Sequence, residues 1–192
     1  KPWTHSINLR AARIFRTTEI TGTDDLVYRY RTFDDYLELS HAAADARKLR
    51  PSAITTTLTA GEDWLRGALE VKQAFAYNAR GRQLRLRAFA GTFFTGGANA
   101  VSLEAWNLSW GAADLRYDHA YFGGGARDRF FSRQFNKQQG AFKTPFRGGG
   151  SDSWIASLNM ELDFPFKLPL AAFASAGWAP YTEVNADGTR HE

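Results

Sequence analysis

Four histidines, His5, His41, His119 and His191, and no cysteine set the range of chemistry open to this chain. Without thiols there is no cysteine nucleophile, no thiolate zinc or iron–sulfur site and no disulfide framework. A helical zinc-hydrolase site needs His-Glu-x-x-His. His5, His41 and His119 are not followed by glutamate, and His191-Glu192 comes just after an Asp187-Gly188 turn signal rather than inside a helical pattern. Asp118-His119 sets an acid beside an imidazole, but no Gly-x-Ser-x-Gly elbow accompanies it. Gly123–Gly125 and Gly148–Gly150 lack the lysine and the strand-to-helix setting of a phosphate loop. No catalytic, cofactor-binding or metal-ligating residue is assigned, and no cofactor is expected.

The polar groups with a readable use are cations. Arg127, Arg129 and Arg133 follow the Gly123–Gly125 run, whose residues permit positive φ and close backbone approach. Their guanidinium groups match carboxylates with two parallel donors. Glu70, Glu104, Glu161 and Asp163 are the expected acceptors, in an internal ion-pair network that fixes a long loop over residues 111–150. Arg80, Arg82, Arg85 and Arg87 form a local basic hairpin, with Arg80 and Arg82 at its turn. The net charge of +4, from 24 basic and 20 acidic residues, is modest and spread along alternating segments. A nucleic-acid surface gathers its arginines on one face among stacking aromatics, so nucleic acid is not an expected partner.

These side chains must be carried by strands. From Leu65 to Tyr77, Leu65, Leu69, Val71, Phe75 and Tyr77 fall on one parity, and Arg66, Glu70, Lys72 and Asn78 on the other. A period of two places the two sets on opposite faces of a sheet. Asn78–Arg82 reads as a turn, after which Leu84, Leu86, Ala88 and Ala90 alternate with Arg85, Arg87, Phe89 and Gly91. A second hairpin sets Trp154, Ala156, Leu158, Met160, Leu162 and Phe164 against Ile155, Ser157, Asn159, Glu161 and Asp163. Pro165 and Pro169, which cannot donate to a ladder, bracket its turn, and a return strand runs from Leu170 to Trp178. Further strands are expected at Trp3–Phe15, Leu26–Phe33, Ser52–Ala60 and Ala100–Trp110, with Gly61-Glu62-Asp63 as a turn. Asp35–Arg50, with its alanines, has the propensity of a helix, which sheet context can override.

At 192 residues, 44% hydrophobic and 23% charged, the chain suits a single folded region and is too apolar for intrinsic disorder. A mean hydropathy of −0.41 and the lack of any apolar run near ~18 residues exclude a membrane-spanning helix but not a membrane-spanning barrel, whose signal lies in alternation. Strands near ~10–13 residues exceed the ~5–6 usual in globular proteins and match the ~9–11 that cross a bilayer. The aromatic fraction is high at 15%, from 15 Phe, 7 Tyr and 6 Trp. Trp64, Phe75, Tyr77, Phe93, Phe94, Trp154, Phe164, Phe166 and Trp178 sit near strand ends, as in the interfacial girdles of membrane barrels. In such a barrel the apolar faces meet lipid and charges line the lumen, the inverse of a soluble sandwich or lipocalin-like barrel.

Two family resemblances bear on this pattern. The series Arg87-Ala88-Phe89-Ala90-Gly91, Leu115-Arg116-Tyr117-Asp118, Ala120–Asp128, Phe131–Phe135, Gly140–Lys143, Ser153–Asn159 and Phe164–Leu170 resembles the C-terminal, barrel-like region of Gram-negative gluzincin metallopeptidases of the alanyl-aminopeptidase type. The resemblance spans residues 84–180 and implies a non-catalytic accessory region of a zinc peptidase. More loosely, Gly124-Gly125-Ala126-Arg127-Asp128-Arg129-Phe130 and Glu161-Leu162-Asp163-Phe164-Pro165 resemble the last strands of bacterial surface-antigen barrels. Asp128 stands where that family has glycine, a departure within the loop motif that the family inserts into its lumen.

The expectation is an all-β, antiparallel, up-and-down barrel of outer-membrane type over residues 1–192, an incomplete segment of a larger barrel. The chain opens at Lys1-Pro2-Trp3 and closes shortly after Asp187-Gly188, which calls for a return strand, so part of a longer polypeptide is expected. Its expected partners are outer-membrane lipid and the remainder of the parent polypeptide or a membrane complex. Its expected role is to anchor or assemble, or to form a channel-like scaffold, in the outer membrane of a Gram-negative bacterium. Two other roles stay open, an accessory domain of a zinc aminopeptidase and a soluble lipocalin-like binder of an apolar ligand.

Overall fold

The computed structural model describes residues 3–21, 27–78, 81–96, 105–108, 139–142, 150–165, 170–180, 183–184 and 190–191. The described residues contain strands and connections and no helix. The strands are β1 (Thr4–Thr21), β2 (Val27–Asp45), β3 (Ser52–Ala60), β4 (Leu65–Ala76), β5 (Gln83–Thr95), β6 (Trp106–Asn107), β7 (Gly150–Ser151), β8 (Trp154–Asp163), β9 (Ala171–Trp178), β10 (Glu183–Val184) and β11 (Arg190–His191). Seven of them form one sheet in the order β1-β2-β3-β4-β5-β8-β9, every pair antiparallel. β6 pairs with β7 and β10 with β11 as two short ribbons.

Among the described residues the sheet is open, with β1 and β9 as its edges. The expected all-β, antiparallel, up-and-down order is therefore present, whereas closure into a barrel is not. The region expected as helix is the second half of β2. Alanines 42 to 44 favour helix in isolation, but Ala42, Ala43 and Ala44 are held between Ser6, His5 and Thr4 on one side and Thr55, Ile54 and Ala53 on the other. Two ladders outweigh a weak local preference. Leu26–Phe33, expected as a separate strand, is continuous with this one from Val27. Of Ala100–Trp110, the described residues show strand only at Trp106–Asn107. Most of the loop 111–150 lies outside the described residues.

The connections sort by end. The links from β2 to β3, β4 to β5 and β8 to β9 lie at one end, the lower. The connections 22–26 and 61–64 and the long insert between β5 and β8 gather at the upper end. At Gly81 the lower turn takes φ 77°, a conformation glycine adopts freely, with Arg82 N–H donating to Asn78 Oδ1 at 3.0 Å. β1 and β2 remain paired up to Thr21 and Val27, although β3 stops pairing β2 at Leu37. Their upper half is thus a two-stranded ribbon projecting past the sheet.

Register fixes which side chains share a face. One face carries Thr55, Thr57 and Thr59 of β3, Arg66, Ala68, Glu70 and Lys72 of β4, Arg85, Arg87, Phe89, Gly91 and Phe93 of β5, and Ile155, Ser157, Asn159 and Glu161 of β8. The other carries Ile54 and Leu58, Leu69 and Val71, Leu84 and Leu86, and Leu158, Met160 and Leu162. The first is the inner face. Ala53 of β3 and Ser175 of β9 border one concavity of about 750 Å³ on that side. These strands lie four spacings apart, roughly 19 Å in a flat sheet. Sharing one hollow requires the sheet to curl around it.

Candidate functional site

The outer face is apolar and uncovered. Ile7 and Leu9 on β1 are 76% and 67% exposed, and Leu39, Leu58, Leu69, Leu158 and Met160 continue the exposed apolar surface across the sheet. Polar residues on this face are Thr56 at the middle of β3 and others nearer its margins. At its lower border Ser52 Oγ donates to Gln73 Oε1 at 2.5 Å. Near the β1 edge His5 and His41 stack with ring centroids 5.4 Å apart. Arg13 forms a two-point ion pair with Asp35, both bonds 2.6 Å, on the ribbon that projects past β3. A folded chain in water rarely exposes a contiguous apolar surface beyond a few hundred Å².

The inner face divides into two halves. In the upper half, two pieces of the long insert fold back onto the sheet. Phe89, Trp106, Leu108 and Ile155 form the buried cluster, with Ala68, Phe93, Phe142 and Ala179 packed against it. Phe142 N–H donates to the Leu108 carbonyl at 2.9 Å, Gly140 N–H to the Asn107 carbonyl at 3.0 Å, and Asn159 Nδ2 on β8 to the Gly140 carbonyl at 2.8 Å. The turn that brings 139–142 to the sheet holds Gln139 and Ala141 at φ 54° and 56°. Such left-handed geometry in non-glycine residues persists where surrounding contacts impose it. Glycines make the seat. A Cβ on Gly91 would lie 2.8 Å from the Trp106 ring, and one on Gly177 would lie 2.6 Å from Leu108.

Arg66 is 7% exposed in this half, although it sits on an open sheet. Its guanidinium carbon is 4.7 Å from the Trp106 ring centre, 5.1 Å from Trp64 and 6.0 Å from Phe93. Trp64 in turn contacts Tyr36 and Phe93, with centroids 5.8 and 6.0 Å apart. A desolvated cation over an aromatic face gains about 2 kcal/mol, which offsets part of the cost of burying Arg66.

In the lower half the cations meet carboxylates. Arg87 Nε donates to Glu70 at 2.5 Å, and Lys72 Nζ lies 2.6 Å from the other oxygen of Glu70. Arg85 spans Glu161 at 2.9 Å and both oxygens of Asp163 at 3.0 and 2.9 Å. Asp163 also accepts from the Gln83 backbone N–H at 3.0 Å, and the Tyr77 hydroxyl donates to its carbonyl. The concavity lies here, lined by Lys72, Arg85, Arg87 and Asn159, with Phe142 and Phe173 among its apolar walls.

The expected site residues are thus partly reunited. Glu70, Glu161 and Asp163 are ion-paired, but to arginines of the neighbouring strand β5 and, for Glu70, also to Lys72 of its own strand. Arg127, Arg129, Arg133 and Glu104, the expected loop partners, lie outside the described residues. Phe94, Trp154 and Trp178 lie at the upper end, 59%, 44% and 59% exposed, and Phe75, Tyr77 and Phe164 at the lower end. Trp64 and Phe93 join the inner cluster instead. Phe166 is outside the described residues. Sequence reasoning misses Trp106, Leu108, Phe142 and Arg66. Gly91, a strand glycine on the same parity as Phe89 and Phe93, is the signal that something packs closely there. Among the described residues no group of three or more His, Asp or Glu side chains is placed to hold a metal ion.

No family model matches this chain, and no curated protein or solved structure matches it either.

Proposed function

We propose that the chain is part of an outer-membrane β-barrel of a Gram-negative bacterium, serving as a membrane anchor or assembly scaffold for a larger protein or complex. The observation that carries this reading is the polarity of the faces. The apolar face is uncovered and points away from the curl, while charges, hydroxyls and the folded-back insert occupy the inside. A soluble lipocalin-like barrel needs the reverse, with its apolar face lining the ligand cavity. Lipid satisfies an outward apolar face, and a water-filled or plugged lumen satisfies an inward polar one.

Dimensions and asymmetry support the same reading. From Leu84 to Phe94 on β5 is ten residue steps, roughly 33 Å of strand, or about 25 Å across at the ~35–45° tilt of barrel strands. That is the height of the apolar band of such barrels. Aromatic residues mark both limits of the band, and the one long connection of the sheet, between β5 and β8, leaves from the upper end. The described pieces of the insert, residues 105–108 and 139–142, pack on the upper inner face, which suits an anchor or scaffold better than an open pore.

The test is folding from denaturant into lipid vesicles. The expected product floats with the vesicles, resists protease through its strands and migrates differently on gels before and after boiling. A chain that is folded and monodisperse in plain buffer contradicts the reading.

A further inference from the structure

We propose that His5 and His41 form a metal-ion site at the lower margin of the outer face, taking one divalent transition-metal ion of the Zn2+ class between their imidazoles. The inference goes beyond the membrane reading and does not depend on it, since it rests on two side chains and the register that joins them.

Register brings the pair together. His41 of β2 lies opposite Ile7, and His5 of β1 lies opposite Ala43, so the two histidines are diagonal neighbours on one face. They are 36 residues apart in sequence, and no local motif announces them. His5 Nδ1 and His41 Nε2 stand 3.2 Å apart. The rings lie within 16° of parallel with centroids 5.4 Å apart, so their nitrogen-bearing edges face each other. Two nitrogens bound to one tetrahedral zinc at ~2.0–2.1 Å are about 3.3 Å apart. The gap therefore already has the size that shared coordination needs. Both side chains are exposed, which leaves them room to turn their lone pairs toward one ion.

The chemistry of the pair fits the same ligand. Neutral imidazole binds Zn2+, Cu2+ and Ni2+ through either ring nitrogen. In the contact as it stands, one of the two facing nitrogens donates a proton to the other. Coordination by both needs that proton on the far nitrogen of its own ring, so binding shifts a tautomer and neither oxidises nor reduces anything. Around the pair the same face carries Ile7, Leu39, Ala43 and Thr56, none of them charged. The small Ala43 side chain opposite His5 leaves the approach open. Arg47, in the turn after β2, is held by Asp45 at 2.6 Å. Among the described residues no third His, Asp or Glu joins the two imidazoles. The remaining positions of the ion thus fall to water, the pattern of an open, exchangeable site rather than of a closed structural one.

The experiment uses the native product, stripped of metal with a chelator and kept in the medium that holds it folded. Its histidine rings are labelled with 15N, and Zn2+ is titrated while the ring resonances are followed by NMR. The expected result is that His5 and His41 respond together, at the same Zn2+ concentration. His5→Gln is expected to abolish the response of His41, and His41→Gln that of His5, with the metal-free spectra of both variants matching the parent elsewhere. No response at either ring in the unsubstituted product overturns the inference, as does a response at one ring alone. So does a response at the remaining histidine that survives substitution of the other. The unsubstituted titration decides the matter even where a variant misfolds. Vesicle flotation tests the membrane reading separately, and its outcome leaves this one unchanged.

Discussion

The upper and lower halves of the inner face are built from the same three strands, β4, β5 and β8, with the same alternation, yet their cations have different surroundings. In the upper half Arg66 is buried against Trp64, Phe93 and Trp106. In the lower half Arg85 and Arg87 face Glu161, Asp163 and Glu70. The difference follows the insert. Where Trp106, Leu108 and Phe142 cover the sheet, water is displaced and aromatic faces replace it around the cation. Beside the concavity, carboxylates from adjacent strands pair with the arginines, Arg87 and Glu70 being mostly buried and Arg85 half exposed. The upper half is a packed aromatic joint and the lower half an ion-pair ladder, so the two should respond differently to mutation.

Trp106→Ala should break the comparison most, because it removes the largest ring of the joint. A buried Trp truncation costs about 3–5 kcal/mol. The expected result is a lowered denaturant midpoint and new protease cleavage within residues 96–150, with the strands still protected. Glu70→Gln should cost about 1.5–3 kcal/mol. It weakens the charge-assisted bond to Arg87, whose side chain is only 14% exposed, and denaturation in vesicles should show the loss without new cleavage in the insert. Gly91→Ala tests the seat of the joint. Its Cβ would force the Trp106 ring outward, an overpacking cost of about 1–3 kcal/mol, and the insert should become cleavable as with Trp106→Ala, though less so. Arg85→Ala should matter least. With 45% of its side chain exposed, the pair contributes below about 1 kcal/mol, and the midpoint should hardly move.

Much of the lower half is legible in the sequence, because it depends on strand alternation alone. Glu70, Glu161 and Asp163 share the parity of the basic residues, and the strands Ser52–Ala60 and Trp154–Asp163 are bounded by Gly, Pro and Asp turns that fix their ends. Sequence reasoning pairs these acids with the arginines of the insert, because forked donors in a glycine-rich loop are chemically suitable. The register instead delivers Arg85 and Arg87 from the adjacent strand, two residues apart on one face. The upper half depends on contacts across long sequence separations, such as Trp106 on Gly91 and Phe142 on Gly177, which no local pattern encodes. Phe93 can be placed inside from its parity with Phe89. Trp64 cannot, because it stands in the turn before β4, where alternation has not begun.

In the proposed barrel the leucine-bearing face would meet lipid and the arginine-bearing face the lumen. Since the chain has no cysteine, single cysteines at Leu69, Leu86 and Leu158 on one face, and at Lys72, Arg85 and Asn159 on the other, can each carry one fluorophore in the vesicle-folded protein. Lipids with brominated acyl chains quench only probes within the hydrocarbon. Strong quenching is expected at the first three positions and little at the second three. Equal quenching of both sets, or the reverse order, would contradict it.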